Sequence, residues 1–279
     1  MASLSRATIS NVTYALGCGR IAGVTALDQG GDGDRGPESV SRSARARVRA
    51  EITREILEAG RRHLATEGAP ALSLRAIARD LGMASSALYR YVASRDDLLT
   101  RLIIEAYDSL GEAVEAREAR ALRVDFVSRF AALCEGVRSW AAAHPNEYAL
   151  IYGSPVPGYA APPETIAPAS RVSLLLARML IEAAESGQLT GVATSDAVPP
   201  MVSSALDPVR PFLPAPVPAG LLQVGLMVWT GLFGMVSFEL FGQLHNVVGE
   251  QPGDREAFFA ECVRRWADQL GLISRQPLG

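Results

Sequence analysis

Two short amphipathic helices meeting without room for a loop constrain this chain more than any other feature. In residues 72–99, LSLRAIARDLGMASSALYRYVASRDDLL, Leu74, Ile77, Ala78 and Leu81 fall at i, i+3, i+4 and i+7 and draw one apolar helix face. Ser73 stands ahead of that face as an N-cap, and Gly82 supplies a residue tolerant of positive φ where the helix stops. A second helix restarts at 84–86, with Leu88 and Val92 turned inward and Ser85, Ser86, Tyr89 and Tyr91 facing out. This is the pattern of a helix-turn-helix, whose second helix is shaped to enter a DNA major groove.

The remaining residues must supply a body for that head. A chain of 279 residues holds one large domain or two ordinary ones, and a 48% apolar content suffices for a sizeable core. All of its basic residues are arginine, and the net charge of −3 conceals an asymmetry. Residues 42–101 carry twelve arginines against seven acids, a balance of +5 that leaves about −8 to the remainder. A basic head on an acidic body fits a nucleic-acid contact confined to one end. Cys18, Cys134 and Cys262 are far apart, odd in number and outside any CxxC or Cys/His spacing. A reduced, cytoplasmic protein without metal or other cofactor is therefore expected. The apolar run 221–236 is shorter than the ~20 residues a bilayer requires, so no membrane association is expected. An apolar patch in residues 1–29 is interrupted by Asn11, Thr13, Gly17, Gly19 and Arg20, which speaks against a secretory signal.

Residues 1–43 read as a disordered extension, because 29–43 (QGGDGDRGPESVSRS) are rich in Gly, Ser and charge. The alternative is an arm whose Arg42, Arg45, Arg47 and Arg49 meet phosphates or a minor groove. A first helix is expected from about Ala46 to Glu67, with Val48, Ile52, Ile56, Ala59, His63 and Leu64 inward, ended by Gly68 and Pro70. After the helix-turn-helix, Ser94 caps a long helix whose stripe runs through Leu98, Leu102, Ala106 and Leu110, and the charged stretch 112–123 reads as solvated. Further helices are expected over 122–143, 146–152, 171–187, 221–247 and 255–270, the last capped by Asp254, with an unsettled stretch at 188–219. No strand alternation or βαβ spacing occurs, so the class is all-α. The division expected is 1–43 extension, 44–94 helix-turn-helix domain, and 95–279 helical domain.

The run SLRAIARDLGMASSALYRYVASRDDLL resembles the DNA-binding segment of the TetR family of bacterial repressors. The match lies in the IA…LG turn, the small residues after it, the LYRYV recognition helix and the S-R-D-D-L start of the next helix, and extends over about residues 45–110. Resemblance implies that Tyr89 and Tyr91 contact phosphates and that Arg95 clamps the DNA backbone. From the residues themselves, Ala84, Ser85, Ser86 and Ala87 are small enough to let the helix backbone approach a groove, and Ser73 can offer its hydroxyl or nearby amides to a phosphate. Arg75 and Arg90 have the reach for bidentate contacts with guanine; the plainer reading is solvated charge.

The body offers a pocket and no active site: no nucleophile elbow, P-loop or HExxH spacing is present, so an enzyme is not expected. Trp140, His144, Tyr148, Tyr152, Met179, Trp229 and Phe233 are the candidate lining of a site for a small hydrophobic effector, apolar walls with a few polar donors. The plainer reading is that these rings fill a helical core. WTGLFG (229–234), with HPNEYALIYGSP upstream, resembles the C-terminal domain of a TetR subgroup named for a W-H-G pattern, with Phe233 where that pattern carries His. The helices at about 221–247 and 254–271 bear more apolar surface than a monomer should expose, so a two-fold homodimer interface is expected there. Together these features point to a ligand-responsive regulator, a homodimeric repressor on a palindromic operator in double-stranded DNA. The alternatives are a sequence-independent architectural DNA binder and a helical enzyme with a fortuitous head.

Overall fold

The computed structural model describes residues 37–273 apart from 192–194, 196–197, 250 and 252, with side chains described from residue 44 onward. Most of the expected extension, residues 1–36, therefore lies outside the described residues. Among the described residues there are ten α-helices and no strand; the sole β feature is an isolated bridge between Leu189 and Leu272.

Helix α1 (Pro37–Glu67) starts well ahead of Ala46, inside the stretch whose Ser and charge content suggested a linker. Proline suits a first helical turn, where its missing N–H would be unpaired anyway. Val48, expected inward, is 59% exposed; burial begins only at Ile56. Gly68, at φ 76°, donates to the Leu64 carbonyl at 3.1 Å and stops the helix. Ser73 caps α2 (Leu74–Asp80) by accepting from the Ala76 amide at 3.4 Å. Gly82 then takes φ 63° while the Met83 amide reaches back to the Ala78 carbonyl at 2.8 Å. Helix α3 (Ser85–Leu88) continues as turns whose Tyr91 and Val92 amides both bond the Leu88 carbonyl, which leaves Leu88 and Val92 fully buried.

Ser94 caps α4 (Arg95–Glu118): its hydroxyl accepts from the Asp97 amide at 3.0 Å while the Asp97 carboxylate accepts from the Ala93 amide at 2.8 Å. The chain divides into two compact units, and the boundary falls inside α4 between residues 104 and 105. The physical reason is packing. Leu98 and Leu102 of α4 press against Gly60 of α1, where an added Cβ would lie 3.2 Å from the Leu102 methyl. Residues 155–163 also join the head unit, with the Tyr159 hydroxyl 2.9 Å from that of Thr100.

In the larger unit, α5 (Phe126–Ala143) is the centre, packed against α6 (Pro145–Tyr152), α7 (Ile166–Glu185), α9 (Ala219–Leu240) and α10 (Asp254–Gln269). Asp125 caps α5, accepting from the Ser128 amide at 3.0 Å, so the helix starts four residues after Leu122. Helix α8 (Pro200–Leu206) and a 3-10 turn, Asp207–Phe212, settle part of the unsettled stretch. The ends of α9 and α10 also differ from expectation. Gly242, at φ 81°, follows the end of α9, seven residues short of Val247. At 22 residues α9 is long and apolar enough, by length and composition alone, to cross a membrane, which the run 221–236 is not. Asp254 does not cap α10; Gly253 holds that place at φ 93°, and the Asp254 carboxylate accepts from the Gln251 amide at 3.0 Å.

The charged stretch 112–123 is not merely solvated. Helix α4 continues through it to Glu118, whose carboxylate is buried against the Arg129 guanidinium, itself 1% exposed. Arg129 reaches Glu182 of α7 as well, at 2.7 Å, and Arg123 shares that partner. One turn earlier, Glu115 and Asp108 hold Arg171 of α7, whose guanidinium lies where a Cβ on Gly111 would be.

Candidate nucleic-acid interface

Local packing decides which way the second helix of the head faces. With Leu88 and Val92 fully buried, the opposite side of α3 has to face solvent, and Ser85, Ser86, Tyr89 and Arg90 are exposed there. Arg75 is exposed on α2, whereas Ser73, Tyr91 and Arg95 are half-buried. Ala84, Ser85 and Ser86 give a low ridge at the start of α3, flanked by a phenol and an arginine. That surface can approach base edges closely and still place donors on either side.

Two of these residues also serve the head itself. Arg95 turns back from the start of α4 and donates to the Ala69 carbonyl at 2.8 Å, bracing the turn after α1. Tyr91 lies under the Arg49 guanidinium, 5.3 Å from ring centre to Cζ, and Arg49 donates to the Arg90 carbonyl at 2.9 Å. His63 of α1 makes a 2.6 Å hydrogen bond to the Asp80 carboxylate at the end of α2, so it is a structural tie inside the head. Neither the Arg49 nor the Asp80 contact is visible in the sequence, since each spans elements separated by a turn.

The seven candidate effector residues fall into separate groups. Trp140 donates from its indole to Ser109 at 3.0 Å and stacks on His144, ring centres 5.1 Å apart. Trp229, Phe233, Tyr152 and Tyr148 form a second, continuous ring series with successive centres 4.4, 4.3 and 5.1 Å apart. Met179 is fully buried on α7. Tyr107 joins the second series edge-on to Tyr152, and Ser237 joins it through the Tyr148 hydroxyl at 2.9 Å, two members that no local sequence pattern marks. Burial pushes the Tyr148 phenol up to about 12, partly offset by its bond to Ser237. Burial, then the neighbouring Tyr107 and Tyr148, raises Tyr152 well above the ordinary tyrosine value. Both phenols stay neutral. The Tyr152 hydroxyl has no hydrogen-bond partner among the described residues, although Tyr148 beside it has two. A surface hollow of about 330 Å³ at Arg210 and Leu213 includes none of the seven.

Residues 56–102 match the family model described as bacterial regulatory proteins, tetR family, and residues 130–266 match the Tetracyclin repressor-like C-terminal domain. The HTH-type transcriptional regulator Rv1816 of Mycobacterium tuberculosis is 40% identical over 208 residues, covering 74% of this chain and 88% of that protein. This chain belongs to the TetR family. Regulator Mb1846 of Mycobacterium bovis is similar to the same extent. The crystal structure of the regulatory-protein candidate SCO4313 aligns with a TM-score of 0.65 at 31% identity, over 80% of this chain and 98% of that one. The fatty acid degradation regulator FadR of Bacillus halodurans shares the fold, with a TM-score of 0.53 at 16% identity over 78% of this chain and 97% of its own. Membership makes this chain a DNA-binding transcriptional regulator and not an enzyme. The TetR head model begins at residue 56, where burial of α1 begins, so the first nineteen residues of that helix lie outside the match.

Proposed function

We propose that this TetR-family regulator is a homodimeric, cytoplasmic repressor released from a palindromic operator by a small, neutral, hydrophobic effector. The observation that carries the reading is the exposed ridge of Ser85 and Ser86 with Tyr89 and Arg90 beside it, on a helix whose other side is sealed by Leu88 and Val92. In this reading Tyr89, Tyr91 and Ser73 meet phosphates, Arg75 and Arg90 reach base edges, and Arg95 divides its donors between the backbone of DNA and the Ala69 turn it braces. Two heads on one duplex require half-sites about one helical turn apart, or a multiple of it.

For the effector, support comes from the ring series Trp229–Phe233–Tyr152–Tyr148, with the Trp140 and His144 pair and Met179 in the same unit. Its rings are apolar, its phenols neutral, and the Tyr152 hydroxyl is a donor without a hydrogen-bond partner among the described residues, the combination expected of a site for an uncharged apolar ligand with one acceptor. Such a ligand acts by preferring one head-to-head spacing over another, through a tilt of α4; without that differential affinity it changes nothing. A footprint of the purified protein on DNA flanking its own gene tests the reading. Protection of an inverted repeat, abolished by a panel of long-chain or aromatic neutral compounds, is the expected result. Uniform protection without a boundary would replace the repressor by an architectural DNA binder.

A further inference from the structure

The first turns of α1 bury none of their side chains in the head. Residues 44–51 are all exposed, and this stretch carries Arg45, Arg47 and Arg49 before the first buried position at Ile56. These turns are carried as the continuation of a 31-residue helix that is anchored in the head from Ile56 onward, so their exposed side chains can meet a partner. Their register is informative. Arg42, Arg45 and Arg49 stand at i, i+3 and i+7, one face of an α-helix. Arg49 fixes where that face points: it bonds the Arg90 carbonyl at 2.9 Å and lies over the Tyr91 ring, at the C-terminal end of the recognition helix. Arg45 has no carboxylate partner among the described residues, whereas Arg54 farther along is held between Glu51 and Glu58.

The geometry points to a second DNA contact: the arginine row of α1 runs along the phosphate backbone outside the half-site read by α3, anchored to the recognition helix through Arg49. The partner is double-stranded DNA, met through its phosphates and without regard to sequence. Seven residues of helix cover about 10 Å, which is about three base pairs of duplex at 3.4 Å each. The row therefore lengthens each half of the footprint by a few base pairs and raises affinity without altering which bases are preferred. This inference rests on the DNA-reading role of the head and adds a surface to it.

The experiment is operator affinity against salt for the full-length protein, by fluorescence anisotropy, with the double variant Arg42→Ala, Arg45→Ala. Alanine keeps helix propensity, so the head folds, as circular dichroism verifies. Removing one arginine–phosphate pair should lower the slope of log K against log salt by about 0.9 per head. The double variant should thus flatten it by roughly 2 per head, with the ratio of operator to random-DNA affinity unchanged. Arg45→Lys should keep the slope, and Arg178→Ala, an exposed charge on α7, should leave it untouched. A wild-type slope in the double variant would overturn the inference while the head keeps its assignment. An equal flattening in Arg178→Ala would overturn it too, as an effect of net charge. If the wild-type protein shows no operator footprint, the DNA-reading assignment fails first and this second surface with it.

Discussion

Tyr89 and Arg75 are both exposed and both on the head, yet they sit differently. Tyr89 lies past the end of α3, on the flank of the ridge, whereas Arg75 projects from α2 with five donors in a rigid fork. Tyr89→Ala should weaken operator and random DNA alike, whereas Arg75→Ala should cost about 1–3 kcal/mol at particular base pairs and relax preference there, read by binding to a set of single-base operator variants. Unchanged preference in Arg75→Ala would return that residue to solvated charge. The head residues were legible because a helix-turn-helix is local: cap, turn glycine and apolar stripe all lie within residues 72–99. Glu118 was not legible. Its neighbours in sequence are charged and exposed, and only the fold brings it to Arg129, eleven residues on and sealed from water. Glu118→Ala should cost about 3–5 kcal/mol in denaturant unfolding, since it leaves a buried guanidinium with the half-exposed Glu182 as its remaining carboxylate, beside the Arg123 carbonyl.

At the level of elements, α9 and α10 define the body's unpaired surface. Met227, Phe238 and Phe241 on or just after α9, and Phe258 on α10, are 57%, 54%, 44% and 43% exposed. Inside the chain these two helices are already drawn together, with Gly231 of α9 lying under the Trp266 ring, and Arg138 of α5 held by Glu239 and Glu256. A second copy would cover the outer face. Phe238→Asp should therefore give a monomer by light scattering at micromolar concentration and weaken operator binding, with the circular dichroism of the chain unchanged; a variant still dimeric would move the interface elsewhere. The existence of α9 was plain from its composition, but its end was not. Sequence hydrophobicity runs on to Val247, and only the backbone turn at Gly242 stops the helix. The start of α1 shows the opposite error: Ser, Arg and Glu look like linker when no apolar stripe accompanies them, although Ala44, Ala46 and Ala50 favour helix.

For the whole molecule, the uneven charge of the chain and its two compact units agree. Residues 42–101, with their excess of arginine, fall within the unit that holds the helix-turn-helix, and the acidic remainder makes most of the larger helical unit. Helix α4 belongs to both, and Tyr159 of the 155–163 segment is tied to it through Thr100. Family membership places the DNA-binding domain in the unit that carries the excess of arginine. In the proposed function each chain reads one half-site through α3 and two act together. Selection of the purified protein's preferred sites from random duplex DNA tests it most directly. An enriched inverted repeat, with half-site centres about one helical turn or a multiple apart, is the predicted result. Enrichment of a single unrepeated motif, or of none, would contradict it.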